Sequence, residues 1–490
     1  MKNKYLLMIP AFLLASCTVG PDYRRPGFLT EQQIGESLEL KDGTKRVIPQ
    51  DWYKQFNDET LNYLIDCAIA GSPNVRVAVQ KLREARTVLN IDAGQYLPVL
   101  DVGTKYDYAK PSKNIGMAIK TNYYQTGLDA SWELDIWGAG RRLTEQNRAL
   151  FEAAAANLDN VRVTLVSEVA GTYVKLRIAQ EQLRIAEKNL RLQEDIFGIV
   201  AEKRRFGLTD DIAYNQAQYA VETTKSLIPQ LEYQIEAGKN ALAVLTGVLP
   251  GRLEVRLDPV RRNLVSGRFD FEIDTLFEIP AEIVRLRPDV RAAEQNLVAR
   301  NAAIGQAVAE LYPNVSISAL FGYQSIRGTS LFTPASEAFS YTPAISLPVF
   351  HWGQLVNNVR LQKETAQEYV ELYKNTLLNA VGEIKDAMVS VDKAYQKNKS
   401  DYQSVENMKK VMRYTLQKYR QGLIEFSDML TAEQDLLKAQ TELAAGNGAI
   451  YQSIIAYYKA VGGGYQSEFY EFSMRRRLSD HSAERSADGK

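Results

Sequence analysis

The strongest constraint on the fold of this chain is an internal duplication with a fixed spacing of 215 residues. The segment "SPNVRVAVQKL" at 72–82 resembles "RPDVRAAEQNL" at 287–297. The same spacing separates further matched residues: Pro98 and Pro313, Trp137 and Trp352, Gly207 and Gly422, Gly247 and Gly462. Chance does not hold one register without gaps over such a span, so the chain is predicted to contain two copies of one structural unit.

Each copy has the same predicted order of elements. A helix-patterned segment, at 73–95 or at 288–310, is followed by two strand-like segments and then by a very long helical stretch. From Ala155 to Val200, residues at alternating steps of three and four form the apolar seam of a coiled coil. The second copy repeats this seam after the 215-residue shift. A continuous helix from Gly140 to Arg205 would be ~100 Å long.

A plain coiled-coil spacer would not contain the segments that lie between the helices. These segments alternate apolar or aromatic residues with Asp, Ser and Gly, and they lie at 100–108, 123–137, 315–323 and 340–349. A soluble sheet with one buried face alternates in the same way. Three features favour membrane strands: a length of roughly ten residues, long polar linkers at 109–122 and 324–340, and aromatic residues near the strand ends. The aromatics predicted for the membrane interface include Trp132, Trp137 and Trp352.

Four strands cannot close a barrel, and an open sheet edge is not tolerated in lipid. Several chains must therefore share one barrel, and a trimer would supply about 12 strands around a polar lumen. The predicted fold class is an α+β membrane protein with a tandem-duplicated protomer. Long coiled-coil helices accompany four strands that contribute to a trimeric transmembrane β-barrel.

The N-terminus carries the pattern of an exported lipoprotein. The apolar run Tyr5–Leu14 follows two lysines and is too short to span a bilayer, so it is predicted to be a cleaved signal. The following L-A-S-C resembles a bacterial lipobox, which predicts S-diacylglycerol and N-palmitoyl groups on Cys17. Thr18 in place of Asp after the cysteine resembles lipoproteins sorted to the outer membrane. The alternative is an ordinary signal peptide in which Cys17 is coincidental.

Charge and composition argue against several functional classes. The chain has 59 basic and 59 acidic residues, so it lacks the positive field of a nucleic-acid-binding protein. Its two histidines, His351 and His481, nearly remove His-based metal sites and nucleophile triads. Cys67 is expected to be a small buried residue rather than half of a disulfide. We therefore predict no catalytic residue, no metal, no cofactor and no nucleic-acid partner.

Five segments of the chain resemble one known family: "CTVGPDYRRP", "SWELDIWGAGRR", "RPDVRAAEQNLVARNAAIGQAVAELYPNVSI", "YRQGLIEFSDMLTAEQDLL" and "YYKAVGGGY". From Cys17 to about Gln466 the chain resembles the trimeric outer-membrane efflux channels of the TolC and OprM type, in particular the NodT-like lipoprotein branch. The resemblance implies a homotrimer in the outer membrane of a Gram-negative bacterium, with a periplasmic α-barrel and a 12-strand β-barrel. It also implies a periplasmic membrane-fusion adaptor and an inner-membrane pump, of the RND type or similar, as partners.

The resemblance also implies roles for two glycine-centred turns, "RRFGLTDDI" and "YRQGLIEFSDML". In the family these turns form the periplasmic tip that contacts the adaptor, so Gly207-Leu208 and Gly422-Leu423 are expected to face it. Asp428 aligns with a family aspartate at the constriction of the channel. A second family acid falls on Thr431 here, and Glu425 could compensate for it. The alternative for Asp428 is an ordinary first-turn acid favoured by the helix dipole.

The predicted domain boundaries follow from the repeat and the resemblance. They are a signal peptide at 1–16, a lipidated leader and equatorial segment at 17–60, a first efflux repeat at 61–247, an equatorial linker at 248–285, a second efflux repeat at 286–465 and a charged tail at 466–490.

The function that these features and the resemblance predict is the outer-membrane exit duct of a tripartite efflux pump or type I-like export system. Such a duct conducts small toxic molecules passively and has no enzymatic activity. A periplasmic adaptor or structural coiled-coil lipoprotein is the alternative, because adaptors share the lipobox and the helical hairpin. That alternative does not account for a tandem repeat with two strand pairs of matching parity. A helical enzyme would need a nucleophile–base pair, a phosphate loop or a ligand cluster, none of which the sequence displays. The cargo stays open.

Overall fold

A computed structural model describes residues 18–39, 49–112, 114, 121–253, 257, 264–266 and 280–463 of the chain. The predicted signal peptide, Cys17, the tail at 466–490 and most of the linker at 248–285 lie outside the described residues. The chain divides into two compact units. Unit one takes its residues from the chain up to Gly27, from Gln80–Ala155 and from Ala292–Asn375. Unit two takes its residues from Phe28–Val79, from Ala156–Arg291 and from Thr376 onward.

The helices and strands of the described residues follow the duplicated order. The helices are α1 Glu31–Leu38, α2 Glu59–Gly71, α3 Pro73–Gln95, α4 Ala139–Arg205, α5 Asp211–Thr246, α6 Ile283–Leu286, α7 Pro288–Ala309, α8 Gln354–Arg420 and α9 Phe426–Ala460. The strands are β1 Val99–Ala109, β2 Thr121–Leu134, β3 Asn314–Ser325 and β4 Glu337–Ser346. The two copies of the long helix, α4 and α8, have 67 residues each.

The heptad seam predicted from the sequence forms the packed face of the long helices. In α4 its residues Val169, Leu176 and Val200 are 0–1% exposed. In α8 the seam residues Ile384 and Val391 are 0% exposed. Burial of this apolar stripe, more than intrinsic propensity, stabilises helices of this length. Among the described residues, no helix is both long enough and apolar enough to cross a bilayer.

Unit one contains a four-stranded antiparallel sheet in the order β1-β2-β3-β4. The alternation predicted from the sequence places the four strands correctly, but some boundaries are wrong. The second strand ends at Leu134 instead of reaching Trp137. The fourth strand begins at Glu337, inside the predicted linker, and ends at Ser346 instead of reaching Val349. Pro348 has no N–H to give to a ladder, so the strand stops before it. Pro343 is tolerated within β4 because β4 pairs with β3 alone in this sheet.

A row of glycines crosses the sheet. Gly103 pairs with Gly127, and Gly127 pairs with Gly322. A Cβ at Gly127 would lie 2.6 Å from the carbonyl oxygen of Phe321, and one at Gly322 would overlap the carbonyl oxygen of Thr126. The neighbouring backbones therefore approach at a distance that only glycine permits.

We expect Gly322→Ala to destabilise the protein by roughly 1–3 kcal/mol, because the added methyl group meets backbone that cannot move aside. The thermal unfolding midpoint of the purified protein should fall. Gly382→Ala is the matched control, since Gly382 lies within α8 and a methyl group added there would meet no atom within 4 Å. That variant should gain about 0.5–1 kcal/mol from helix propensity. Equal unfolding midpoints for the two variants would contradict this account of the glycine row.

Candidate functional site

Two helix turns in unit two have the same backbone structure at positions 215 residues apart. α4 and α8 each end at a glycine in the left-handed region, Gly207 with φ +69° and Gly422 with φ +73°. The next residue donates its N–H back into the helix in both copies, from Leu208 to the Lys203 carbonyl at 2.8 Å and from Leu423 to the Lys418 carbonyl at 3.0 Å. This is a Schellman ending.

Each turn presents an apolar side chain to its surroundings. Leu208 is 73% exposed and Leu423 is 67% exposed, and Phe206 beside the first turn is 66% exposed. Beneath the turns, one apolar cluster joins the ends of four helices, with Ile196, Val200, Ala213, Ala217, Met412, Tyr419, Phe426, Met429 and Ala432. The turns are therefore fixed from below, while their leucines project outward.

Cationic side chains at the end of α4 bond residues on both turns. Lys203, at the end of α4, places its Nζ 4.2 Å from the centre of the Tyr419 ring, at the end of α8. Arg204 bonds the Asp211 carboxylate at 2.7 Å. The structure thus brings Gly207-Leu208 and Gly422-Leu423 into one neighbourhood, as expected for a shared contact surface.

The candidate gate residues lie on the first two turns of α9. Asp428 is the third residue of the helix and is exposed. Glu425 occupies the N-cap position without a side-chain bond to the helix, whereas in the first copy Asp210 accepts from the Ala213 N–H at 2.9 Å. Thr431 donates its hydroxyl to the Ser427 carbonyl at 2.9 Å. Glu425, Asp428 and Thr431 are spaced three residues apart, so successive residues are neighbours on the helix surface.

A cationic groove lies close to these turns. It has a volume of about 770 Å³ and lies between α4 and α8, with residues of α9 in its lining. Its charged lining residues are Lys188, Lys409, Arg413 and Arg420. Glu406 bonds Lys409 at 2.8 Å, so the groove carries less net positive charge than the count of its cations indicates.

The three tryptophans predicted for the membrane interface belong to unit one and have different surroundings. Trp132 donates its indole N–H to the Tyr96 carbonyl at 3.0 Å. Trp137 lies beyond the end of β2 and donates to the Pro313 carbonyl at 2.8 Å. Trp352 is 88% exposed at a φ of +50°. Trp132 and Trp137 thus have partners for their polar edges, and Trp352 is the most exposed of the three.

One residue that holds the N-terminal leader in unit one was not predicted from the sequence. Thr18–Pro26 forms neither helix nor strand, and Arg142 at the start of α4 grips it. The Arg142 guanidinium donates to the carbonyls of Val19 and Gly20 and to the Asp22 carboxylate, at 2.8–3.2 Å. Its side chain is 4% exposed. The motif "GAGRR" marks the position, but no periodicity indicates what Arg142 binds.

A second contact fixes the far end of the leader. Arg25 bonds the Glu294 carboxylate on α7 at 2.6 Å. Between the two anchors, Gly20 lies so close to Gly305 that a Cβ on it would overlap the Gly305 backbone. Asn301 donates to the Pro21 carbonyl at 2.9 Å. The leader is therefore held along α7 over several residues.

Comparison with known proteins agrees with the duplication. The family model described as outer membrane efflux protein matches twice, at residues 64–248 and 279–463, and the matches start 215 residues apart. Cation efflux system protein CusC of Escherichia coli O6:H1 is 28% identical over 468 residues, which cover 94% of this chain and 99% of that protein. Toluene efflux pump outer membrane protein TtgF of Pseudomonas putida is 27% identical over 481 residues, with coverage of 95% and 98%.

A solved structure of an outer-membrane channel has the same fold as this chain. The outer-membrane channel OprN aligns with a TM-score of 0.84 and 31% sequence identity. The alignment covers 91% of this chain and 99% of that channel.

Proposed function

This chain belongs to the outer membrane efflux protein family and is an outer-membrane channel of a tripartite efflux pump, and we propose that it acts as a passive duct without enzymatic activity. The predicted resemblance and the predicted fold class are confirmed. Channels of this family are trimers that pair with periplasmic adaptors and inner-membrane pumps. Under this proposal the pump supplies the energy, and the channel supplies a path and a controlled entrance.

The paired helix turns carry the proposal. Each protomer has two turns with the same hydrogen bonds and an exposed leucine at the same position, Leu208 or Leu423. A trimer would present six such turns in one ring, which suits an adaptor with sixfold repetition. Apolar side chains on rigid turns lose little conformational entropy on binding. This supports adaptor contact at Gly207-Leu208 and Gly422-Leu423.

The entrance is proposed to be formed by α9. Asp428 is exposed on the first turn of that helix, close to the tip. In a trimer three copies around a narrow opening would attract cations and repel one another. Glu425 would add three more carboxylates at the N-cap. Thr431 would contribute only its hydroxyl, which bonds the helix backbone.

The leader supports a lipid anchor at Cys17. Residues 18–26 are already held along unit one by Arg142 and Glu294, so an acyl group on Cys17 would start from a fixed position. Acyl chains contribute about 0.8 kcal/mol per buried CH₂ to membrane binding. The exposed ring of Trp352 is proposed to lie at the membrane interface, where an amphipathic ring is favoured.

The cargo is left open by the relatives. CusC is named for cation efflux and TtgF for toluene efflux, although the two are 28% and 27% identical to this chain. Similarity at this level therefore favours neither kind of cargo.

The double variant Leu208→Asp/Leu423→Asp is expected to abolish efflux in cells, because charged groups replace the apolar contacts of the tip. Each lost apolar side chain would cost about 1.5–3 kcal/mol of adaptor binding. Trimer formation and conductance in planar bilayers should stay unchanged. Leu208→Met/Leu423→Met is the control and should keep efflux. Full efflux in the aspartate variant would overturn the proposed contact surface.

Asp428→Asn is expected to lower the preference of the channel for cations over anions, measured as the reversal potential in a salt gradient across a planar bilayer. Asp211→Asn removes an exposed first-turn acid from the first copy and serves as the control. Both changes should cost about 0.3–1 kcal/mol of helix-dipole interaction. The selectivity should change only in Asp428→Asn. Equal selectivity in both variants would leave Asp428 as an ordinary first-turn acid.

We expect two variants to affect lipidation of Cys17 and the contacts of the leader independently of each other. Cys17→Ala is expected to lose incorporation of labelled palmitate, while tryptic cleavage after Arg24 stays slow because the contacts of the leader are intact. Arg142→Gln should keep the label and speed that cleavage at least several-fold. Palmitate label that persists in Cys17→Ala would contradict the lipobox assignment.

A further inference from the structure

A carboxyl group is buried in unit two, and no cation of the described residues pairs with it. Glu433 on α9 is 1% exposed. Its partners are two amide side chains of α4: Asn189, whose Nδ2 donates to the Glu433 carboxyl at 3.3 Å, and Gln193. A buried carboxylate normally requires a paired cation or several strong donors. The long Asn189 bond and one further amide are a weak substitute.

Burial and hydrogen bonding act in opposite directions on Glu433. The two amide donors favour the ionised carboxylate, whereas removal from water without a paired cation favours the neutral carboxyl. Gln193 is 4% exposed, and its side-chain Oε1 has no hydrogen-bond partner among the described residues. An ionised carboxylate has no proton to give to that oxygen. One long bond and one further amide, whose own acceptor is unsatisfied, therefore compensate only weakly for a buried negative charge on Glu433.

Charged residues of α4, α8 and α9 line two grooves near this position, and on α5 Lys225 pairs with Glu222 and with Glu194 of α4. The groove that contains Asn189 has Lys188 from α4, and Lys409, Arg413 and Arg420 from α8. The groove that contains Gln193 has Lys438 and Glu442 from α9. From α5 that second groove has Ala220, Thr223, Thr224 and Leu227, which carry no charge. In the part of the chain that the structure describes, the side chains that bond Glu433 are Asn189 and Gln193, and neither carries a charge.

Glu433 adjoins the apolar cluster that fixes the two turns. Met429 and Ala432 belong to that cluster and lie one helical turn and one residue before it on α9. The repeat does not require an acid here, because the residue 215 positions earlier is Gln218, which is exposed. The α8 residues that correspond to Asn189 and Gln193 are Ser404 and Met408. The buried acid with its two amides is therefore specific to one copy.

We propose that Glu433 is a proton-dependent latch that holds α9 against α4 below the tip. The neutral carboxyl supports the packed arrangement of these helices, and the ionised carboxylate favours an arrangement in which α9 loosens and its charge meets water. Because α9 also carries Asp428, loosening would widen the entrance. This last step rests on the proposed role of α9 as the entrance.

Burial raises the pKa of Glu433 from its ordinary value of 4.5 to about 7, opposed by the bonds from Gln193 and Asn189. A carboxyl with a raised pKa stabilises the packed form fully below pH 4.5, and this stabilisation is lost as the pH rises through about 7. Between pH 5.5 and 8.5 the equilibrium between packed and loosened forms should shift toward the loosened form by at most about 30-fold.

The test uses the full-length trimer and two neutralising variants on the same helix, Glu433→Gln and Glu442→Gln. Glu442 is exposed, so its replacement removes the same charge without a buried site. Conductance in planar bilayers and the thermal unfolding midpoint are measured from pH 5.5 to 8.5. The wild type and Glu442→Gln should conduct more, and unfold at lower temperature, as the pH rises. Glu433→Gln should stay close to the low-pH behaviour of the wild type throughout.

The two readouts separate failure of the latch from failure of the channel. Channels that conduct, with identical pH profiles for the wild type and Glu433→Gln, would overturn the latch and leave the duct in place. Absence of conductance in every variant would overturn the duct, and the pH dependence of the unfolding midpoint would still decide the latch. If Glu433→Gln does not form trimers, Glu433→Met supplies an uncharged side chain of similar length. A pH profile of that variant equal to the wild-type profile would also overturn the latch.

Discussion

Hydrogen bonding at the two sides of the sheet in unit one is the constraint on which the rest of the protein depends. In the described strands, β1 pairs only with β2 and β4 only with β3, so each outer edge presents N–H and C=O groups. On these edge strands Val102, Phe339 and Ile345 are 79%, 73% and 75% exposed. In hydrocarbon each unmet backbone group costs several kcal/mol. Strands of neighbouring protomers must therefore complete the sheet, and trimerisation is a condition of stability.

The duplication gives the helical part a repeated frame, and substitutions within that frame give it function. Both turns keep the glycine and the backward hydrogen bond of the following leucine. Other positions have diverged, since Asp210 caps α5 whereas Glu425 makes no side-chain bond to α9. A backbone turn depends on one permissive residue, so it survives duplication unchanged. Charged and buried polar residues depend on their neighbours, which differ between the copies.

Much of the fold and part of the site could be predicted from the spacing of residues. The heptad seam, the alternation of the strands and the glycine turns are local patterns, and the structure contains all three. The predicted end of β4 was wrong, because the alternation of residues continues through Pro348 although the hydrogen-bonded ladder of β4 ends at Ser346. The burial of Cys67 was also overstated, since this residue on α2 is only half-buried. Period alone does not report which side of a helix a neighbouring element covers.

The sequence by itself determined the repeat, the element order and the positions of the turns. The repeat is visible as two similar segments, and the helices, strands and turns within it arise from interactions between residues a few positions apart. The tertiary structure decided what Arg142 and Glu433 do. Arg142 holds Asp22 across 120 positions of the chain, and Glu433 meets Asn189 across 244. Such pairs leave no periodic trace, since any polar residue at either position fits the local pattern equally well. Only in the folded chain do Arg142 and Glu433 meet the residues that bond them.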